Sequence, residues 1–247
     1  MYELKGKTAL ITGGGKRIGR AIALSLAERG ANLIVHYNHS EEAAMEVATK
    51  ALNLGVHATT CRADLEDPEQ IKEFFETCRQ QAPSIEILIN SASIFPSNTL
   101  EDMTLNELEQ NLRINAITPL FLARLFAAAA EEGCIINFLD SRITDYDKRH
   151  AAYHASKRLF FSLTRMMSLD FAPNIRVNAV APGLVLPPAG KDVSFLEELA
   201  YTNPLNKYGF AEDIVRATLF LLESDFITGQ VIYVDGGRHI RGNVYGS

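Results

Sequence analysis

Short apolar runs alternate with longer stretches of helical periodicity along most of the chain. The runs end at glycine, asparagine or proline, as buried strands commonly do. They predict strands over residues 7–12, 32–37, 56–61, 85–89, 134–139, 175–180 and 230–234. Apolar residues at three- and four-residue spacing predict helices over residues 20–29, 41–54, 67–81, 105–130, 153–171 and 211–222. This alternation is typical of a parallel sheet with helices on both faces and right-handed crossovers.

The pattern contains no linker, repeat or low-complexity segment, so residues 1–247 are predicted to form one domain. The expected fold class is α/β, a doubly wound Rossmann fold with a seven-stranded parallel sheet flanked by helices. Residues 184–206 are irregular and rich in proline, with one short helix expected near 194–201. This segment is predicted to cover the substrate as a loop.

The ends of the predicted strands carry the polar and glycine residues that point to a ligand site. Gly13, Asn90, Asp140 and Pro182 follow closely on four different strands. Ligands bind such sheets outside the carboxyl ends of the strands. The sequence therefore predicts one cleft that gathers all four segments.

Composition and charge favour a soluble globular protein. Hydrophobic residues make up 47% and charged residues 22% of the chain, which is ordinary for that class. The formal net charge is −6 and no long basic run is present, so no nucleic-acid partner is expected. The chain has no signal-peptide pattern and no single apolar run of membrane-spanning length. A cytoplasmic location without a membrane partner is therefore expected.

Candidate metal ligands are few and poorly arranged in the sequence. Cys61, Cys78 and Cys134 are widely spaced in apolar or helical contexts, which predicts buried free thiols. His150 and His154 have the spacing of one helix face, and a solvated face is the more common reason for it. No metal site is predicted.

A glycine-rich segment lies between the first strand and the first helix. Residues 13–19 read Gly-Gly-Gly-Lys-Arg-Ile-Gly. Glycines let the backbone approach a pyrophosphate, and the N-terminus of the following helix presents free N–H groups to it. An ordinary strand–helix turn is the alternative.

The end of the second strand bears on which dinucleotide binds. NAD-binding folds usually place an acidic residue there, whereas residues 36–40 read His-Tyr-Asn-His-Ser. Lys16 and Arg17 lie in the preceding loop. Basic and hydroxyl groups without a carboxylate suit a 2′-phosphate, so NADP(H) is favoured over NAD(H). Solvated surface residues are the alternative.

Tyr153 and Lys157 are four residues apart in a predicted helix. That spacing places both side chains on one face. A cation one turn away favours the phenolate, so we expect the pKa of Tyr153 to fall towards the working range of a proton donor. Taken alone, this spacing more often belongs to a half-exposed helix face.

Together these motifs resemble the short-chain dehydrogenase/reductase family over almost the whole chain. The matching segments are Thr-Gly-x-x-x-Arg-Ile-Gly at 12–19, Asn-Ser-Ala-Ser at 90–93, Tyr-x-x-x-Lys at 153–157, Pro-Gly at 182–183 and Asp-Gly-Gly at 235–237. The resemblance implies that Asn115, Tyr153 and Lys157 are catalytic. It implies cofactor contacts from Tyr153 and Lys157 and from Gly13, Lys16, Arg17, Ile18, Gly19, His36, Tyr37, Asn38, Ser40, Asp64, Leu65, Asn90, Ser91, Ala92, Ser93, Pro182, Gly183 and Val185.

Three departures from the family pattern indicate a narrower branch. Arg17 and Ser93 each replace a glycine, and Asp140 stands thirteen residues before Tyr153, where the family has a substrate-orienting serine. With Phe95 two residues after Ser93, the combination resembles the pteridine reductase branch, including members that reduce dihydromonapterin or dihydrofolate. That resemblance implies NADPH, a reduced pteridine product and commonly a homotetramer.

Asp140 changes the expected chemistry. A carbonyl reductase stabilises a developing alkoxide, which a serine hydroxyl can do and a carboxylate opposes. Asp140 therefore favours reduction of a C=N bond, with Tyr153 delivering a proton to nitrogen and Asp140 orienting or re-protonating it. Lys157 is expected to hold the nicotinamide ribose and to tune Tyr153. The resemblance implies that Asn115 supports a water chain to Lys157.

The remaining substrate contacts are expected around the cleft. Phe95 offers an aromatic face on which a flat pteridine can stack. Arg17 is expected to reach the pteridine or a cofactor phosphate, and Ser93 to donate a hydrogen bond to either ligand. Leu184 and Leu186 would form the apolar underside of the loop. Packing or solvation of these loop residues is the alternative.

Ser141 directly follows Asp140 and leaves a second function open. A shift by one residue would let Ser141 take the family's serine role. The protein would then be an NADPH-dependent carbonyl reductase acting on a 3-oxoacyl, sugar or other ketone substrate. A third possibility is a dinucleotide-binding regulator without catalysis, which the complete set of catalytic residues disfavours.

Overall fold

The computed structural model describes residues 2–188 and 190–241. The strands are β1 Thr8–Thr12, β2 Asn32–Tyr37, β3 Ala58–Arg62, β4 Ile87–Asn90, β5 Gly133–Phe138, β6 Ile175–Pro182 and β7 Val231–Val234. The helices are α1 Arg17–Glu28, α2 Glu41–Asn53, α3 Ile71–Gln80, α4 Leu105–Leu112, α5 Thr118–Ala129, α6 Ala151–Asp170, α7 Ser194–Leu199, α8 Ala211–Glu223 and α9 Arg238–Arg241.

All strands belong to one seven-stranded sheet in the order β3-β2-β1-β4-β5-β6-β7. Every neighbouring pair is parallel. The predicted single-domain α/β Rossmann-like fold is thereby confirmed. The sequence favours this arrangement because the central strands are predominantly apolar, and both β1 and β5 are buried at every position.

The order of the strands reverses between β1 and β4, which defines a topological switch point. There Thr12 lies opposite Asn90, and Asn90 lies opposite Asn137. The loops after β1, β4, β5 and β6 therefore leave the same edge of the sheet. This arrangement places the four predicted segments around one cleft.

Helices cover both faces of the sheet and bury two apolar layers. Side chains such as Leu26, Val47 and Leu222, from α1, α2 and α8, form the first layer. Phe75 of α3 and Phe126 of α5 lie at the centre of the second layer and are at most 2% exposed. Each such side chain contributes roughly 1.5–3 kcal/mol when buried, so the two layers hold the loop ends in place.

The predicted helix over 105–130 is observed as α4 and α5, joined by a π-helical turn at Arg113–Ile117. A capping box between Thr104 and Glu107 starts the helix. By length and composition alone, the continuous stretch Leu105–Ala129 could cross a membrane. Core helices of soluble proteins meet the same two criteria. Here Leu122 is fully buried in the second layer.

Several local features differ from the predicted ones. The first helix begins at Arg17, three residues earlier than predicted. The substrate loop contains α7 followed by a 3-10 turn at Ala200–Thr202, close to the expected position. A 3-10 turn at Ser141–Thr144 and the short helix α9 were not predicted. The three cysteines are buried and free, as expected.

Candidate active site

A cleft of about 920 Å³ runs along the carboxyl edge of the sheet. It lies between the glycine loop after β1 and the substrate loop after β6. The predicted site residues that line it are Gly13, Lys16, Arg17, Ile18, Gly19, His36, Tyr37, Asn38, Ser40, Asp64, Leu65, Ser91, Ala92, Ser93, Phe95, Asp140, Tyr153, Lys157, Pro182, Gly183, Leu184, Val185 and Leu186. Asn90 and Asn115 lie behind this lining.

Tyr153 and Asp140 are in direct contact. The Tyr153 hydroxyl donates to Asp140 Oδ2 at 2.9 Å, and the other Asp140 oxygen, Oδ1, accepts from the Arg142 backbone N–H at 2.7 Å. Tyr153 is only 7% exposed. Burial, followed by the charge of Asp140, raises the pKa of Tyr153 well above its usual value. The predicted lowering of this pKa is wrong, because the carboxylate and the apolar surroundings both disfavour the phenolate.

Lys157 lies below the ring of Tyr153 and does not contact its hydroxyl. Its Nζ donates to the Phe138 carbonyl at 2.8 Å and lies 5.6 Å from the Tyr153 ring centroid. Burial lowers the pKa of Lys157 to about 8, and the charge of Asp140 partly opposes this. Lys157 thus places a desolvated cation beneath the Tyr153 ring, at the wall of the cleft.

Asn115 is a positioning residue for the loop after β4. Its Oδ1 accepts from the Ser93 hydroxyl at 3.0 Å and from the Ile94 N–H at 2.9 Å. Its Nδ2 donates to the Ile94 carbonyl at 3.1 Å and to Ser156 Oγ at 3.0 Å. These bonds fasten the loop to α6. Asn115 and Lys157 are both described and share no hydrogen bond, so the implied water chain stays a prediction.

Phe95 forms an aromatic wall beside Tyr153. Its ring stacks on His150 at 3.9 Å and meets Tyr153 edge-on at 4.6 Å. Phe95 remains 48% exposed, so one face of the ring is open towards solvent. The position is suitable for stacking a flat ligand next to the Tyr153 hydroxyl.

The sequence did not predict the group formed by Asp147, His150 and His154. The Asp147 carboxylate contacts His150 Nδ1 at 2.9 Å and His154 Nε2 at 3.4 Å, and it pairs with the Arg142 guanidinium. His154 is 4% exposed, so the solvated face predicted for it is wrong. Burial lowers the pKa of His154. The only signal in the sequence was the spacing of Asp147, His150 and His154 by three and four residues.

The ligand atoms of these three side chains lie within 4.8 Å of one another, which is the spacing of a metal-binding group. The Asp147 carboxylate already pairs with the Arg142 guanidinium and accepts a hydrogen bond from the Arg149 N–H. Burial raises the pKa of Asp147, but the Arg149 amide, His150 and Arg142 outweigh it and hold that pKa at about 2. The contacts with Arg142 and His150 therefore suffice to explain the cluster as an ionic and hydrogen-bonded wall.

His36 supports the glycine loop from below. The Gly13 N–H donates to His36 Nδ1 at 3.1 Å, so His36 Nε2 carries the hydrogen and donates to the Ala63 carbonyl at 3.1 Å. His36 is 2% exposed, and burial lowers its pKa to about 4. His36 therefore adds no cation for a 2′-phosphate, because the ring is neutral at pH 7 and both of its nitrogens are used.

Asn90 has a similar supporting place. It is 2% exposed, and its Nδ2 donates to Asn137 Oδ1 at 2.9 Å, which joins β4 to β5. Its side chain therefore does not reach the cleft. Thr12 Oγ1 accepts from the Ser91 and Ala92 amides at 3.0 and 3.1 Å, and so fixes the next loop against β1.

Arg17 joins the two sides of the cleft. It adopts a left-handed backbone conformation with φ 52°, the region in which the family places glycine. Its Nη2 donates to the Pro187 carbonyl in the substrate loop at 2.8 Å. The side chain thus spans from the glycine loop to the segment over residues 184–206, across the opening of the cleft.

The glycine loop fits a dinucleotide. A Cβ on Gly19 would lie 2.4 Å from the Gly13 carbonyl oxygen, so the loop closes against α1 only with glycine there. The first turn of α1 has no acidic residue, and its free N–H groups suit a phosphate. Lys16, Tyr37 and Ser40 line the far end of the cleft. These residues would hold the phosphates and the adenosine ribose.

Ser141 also lines the cleft, and it is 2% exposed. It begins the 3-10 turn that Asp140 caps through the Arg142 amide. The group in contact with the Tyr153 hydroxyl is Asp140.

Comparison with known proteins identifies the family. A family model described as "Enoyl-(Acyl carrier protein) reductase" matches residues 14–239. Versicolorin reductase stcU of Emericella nidulans is 32% identical over 255 residues, covering 96% of this chain and 97% of that protein. The chain belongs to the short-chain dehydrogenase/reductase family.

Solved structures extend this result to the cofactor. FolM alternative dihydrofolate reductase 1 from Brucella suis, in complex with NADP, superposes with a TM-score of 0.91 at 28% identity, covering 98% of this chain and 97% of that one. LugOII, a reductase that catalyses keto-reduction at C1 in lugdunomycin biosynthesis, gives 0.89 at 30% identity, covering 96% and 99%. The protein is an NADP(H)-dependent short-chain oxidoreductase.

Proposed function

We propose that the protein reduces a C=N bond of a dihydropteridine of the dihydrobiopterin, dihydromonapterin or dihydrofolate type. The observation that carries the proposal is the 2.9 Å hydrogen bond from the Tyr153 hydroxyl to Asp140. A carboxylate at this position opposes the alkoxide formed in ketone reduction, whereas it is compatible with protonation of a ring nitrogen. The likeness to FolM supports the same substrate class.

NADPH, when bound, supplies the hydride to the ring carbon. Tyr153 would give its proton to the ring nitrogen next to that carbon. The raised pKa keeps the Tyr153 hydroxyl protonated at neutral pH, so the proton for transfer is present in every molecule. Asp140 holds the hydroxyl in place, and the Lys157 ammonium offsets the negative charge left on the pair after transfer.

The walls of the cleft support a flat, polar substrate. The stacked pair of Phe95 and His150 presents an aromatic surface directly beside the Tyr153 hydroxyl. Arg17 lies across the opening and keeps four further guanidinium donors besides the one used by Pro187. A pteridine ring has donors and acceptors along its edge that such a group can satisfy.

A second candidate function is NADPH-dependent ketone reduction. It is favoured by relatives such as versicolorin reductase and by the keto-reduction of LugOII. In this case Ser141, at the wall of the cleft, would stabilise the alkoxide together with Tyr153.

The deciding experiment compares initial rates of NADPH oxidation with dihydrobiopterin, dihydromonapterin, dihydrofolate and a panel of ketones. We expect turnover with a pteridine, strong loss in Asp140→Ala and near-normal rates in Ser141→Ala. Good ketone turnover with no pteridine turnover, lost in Ser141→Ala, would establish the second function instead. We also propose a cytoplasmic homotetramer, which sedimentation of the full chain and cell fractionation test.

A further inference from the structure

The turn that follows β7 is rigid and presents an arginine to the cleft. The buried Asp235 carboxylate accepts from the Gly237 N–H at 2.9 Å, the His239 N–H at 2.7 Å and His239 Nδ1 at 2.9 Å. The His239 ring stacks on Tyr233 at 3.8 Å. Arg238 lies inside this clamped turn, so its backbone is fixed before any ligand binds.

Thr144 brings this turn to the catalytic side of the cleft. Its hydroxyl donates to the His239 carbonyl at 3.4 Å, which links α9 to the 3-10 turn after Asp140. Both Arg142 and Arg238 line the cleft near this link. The two arginines therefore border the substrate end of the cleft rather than the end that binds adenosine.

The two guanidinium groups differ in their partners. Arg142 pairs with Asp147. Among the side chains that the structure describes, the half-buried Arg238 guanidinium has neither an ion-pair nor a hydrogen-bond partner. Burial and then the charge of Arg142 lower the pKa of Arg238, although three aspartates in the neighbourhood act in the opposite direction. An arginine nevertheless stays charged in proteins, so Arg238 is a partly desolvated cation with its donors unused.

We propose that Arg238 forms a subsite for an anionic substituent of the substrate, a carboxylate or a phosphate. The planar fork of its donors matches both groups in a bidentate manner. The exposed Arg149 and Lys191 also line the cleft and increase its positive potential, although the whole chain carries a net charge of −6. The substrate accordingly consists of a flat ring held at Phe95 and an acidic side chain directed towards β7.

The inference rests on the proposed function only for the identity of the ring, so its test contains two series of substrates. The pteridine series compares dihydrofolate and dihydroneopterin phosphate, which are anionic, with dihydrofolate diamide and dihydroneopterin, which are not. The ketone series compares an aromatic ketone bearing a carboxylate with its carboxamide. Each is measured with the wild-type enzyme, Arg238→Gln, Arg238→Lys and the control Arg79→Gln, an exposed arginine on α3 outside the cleft.

We expect Arg238→Gln to raise KM for the anionic substrates about tenfold or more with little change in kcat, because a charge-assisted contact is lost. KM for the neutral partners should be unchanged, and Arg238→Lys should retain part of the preference. Equal effects on anionic and neutral substrates, or no effect, would overturn the subsite. NADPH affinity and circular dichroism confirm that the variant is folded.

The two series separate the subsite from the proposed function. Charge discrimination in the ketone series without any pteridine turnover keeps the subsite and refutes the pteridine assignment. If wild type and Arg238→Gln both reduce pteridines with no dependence on substrate charge, the pteridine assignment stands and the subsite is refuted. A preference for dihydroneopterin phosphate over dihydrofolate identifies phosphate as the recognised group, and the reverse identifies carboxylate.

Discussion

His36 should make the protein sensitive to acid through a single buried ring. Its pKa lies at about 4 in the folded protein, compared with the ordinary value of 6.5. That gap corresponds to roughly 3 kcal/mol of stability, which is present above pH 6.5 and lost as the pH falls towards 4. The sign follows because the unfolded chain takes up the proton first. Between pH 8 and pH 5 the expected loss is about 2 kcal/mol.

Protonation of the folded ring should weaken the glycine loop at lower pH. A protonated ring cannot accept from the Gly13 N–H, so the contact at 3.1 Å is lost. Because the folded ring takes up its proton only near its pKa of about 4, the affinity for NADPH is expected to fall below the pH range in which most of the stability is lost. Urea unfolding and NADPH fluorescence titration, both from pH 8 to pH 4, measure the two effects.

A matched pair of variants isolates the contribution of His36. His36→Asn should flatten the pH dependence of the unfolding free energy by about 2 kcal/mol relative to wild type. The control His57→Asn, at an exposed histidine, should leave the slope unchanged. If His36→Asn does not fold, an NMR titration of the wild-type histidine rings replaces it. An unaltered slope in His36→Asn, or a His36 ring that titrates near 6.5, would refute the reasoning.

Three further predictions concern the cleft. Asp140→Asn should lower kcat about tenfold to a hundredfold, because the hydrogen bond that holds the Tyr153 hydroxyl becomes weaker. The affinity for NADPH should not change. An unchanged kcat in steady-state assays would contradict this prediction. Arg17→Gly should raise the unfolding free energy by about 1 kcal/mol, since glycine tolerates the left-handed conformation. The same change should raise KM for the substrate. A lower unfolding free energy of the variant in urea would contradict the first expectation. Gly19→Ala should abolish NADPH binding in fluorescence titrations, because its Cβ would lie 2.4 Å from the Gly13 oxygen. Retained NADPH affinity would show that the glycine loop moves to make room for the methyl group.

The sequence predicted the sheet because apolar runs between glycines are a local signature of buried strands. The spacing of Tyr153 and Lys157 is too common to identify a catalytic pair by itself, and only its combination with the other motifs predicted that role. The replacement of a hydroxyl by Asp140 was also readable, and the structure places that carboxylate on the Tyr153 hydroxyl.

The sequence could not reveal properties that depend on burial. The direction of the Tyr153 pKa shift depends on desolvation and on which charge is nearer, and neither is encoded in a four-residue spacing. His36 appears as a polar residue at the end of a strand, yet its ring is enclosed by Gly13 and Ala63. Arg238 follows a glycine pair, and nothing in that motif indicates that its side chain faces the cleft.

The π-helical turn at Arg113–Ile117 interrupts a long helix and carries Asn115. A π turn is equivalent to one residue inserted into an α-helix, and the wider turn absorbs that residue locally. Deleting one residue there would therefore restore an α-helical turn and leave the buried face of α5, including Phe126, directed at the sheet. The effect of the deletion would fall on Asn115, whose side chain fixes the loop after β4, so the wide turn serves the cleft and not the core.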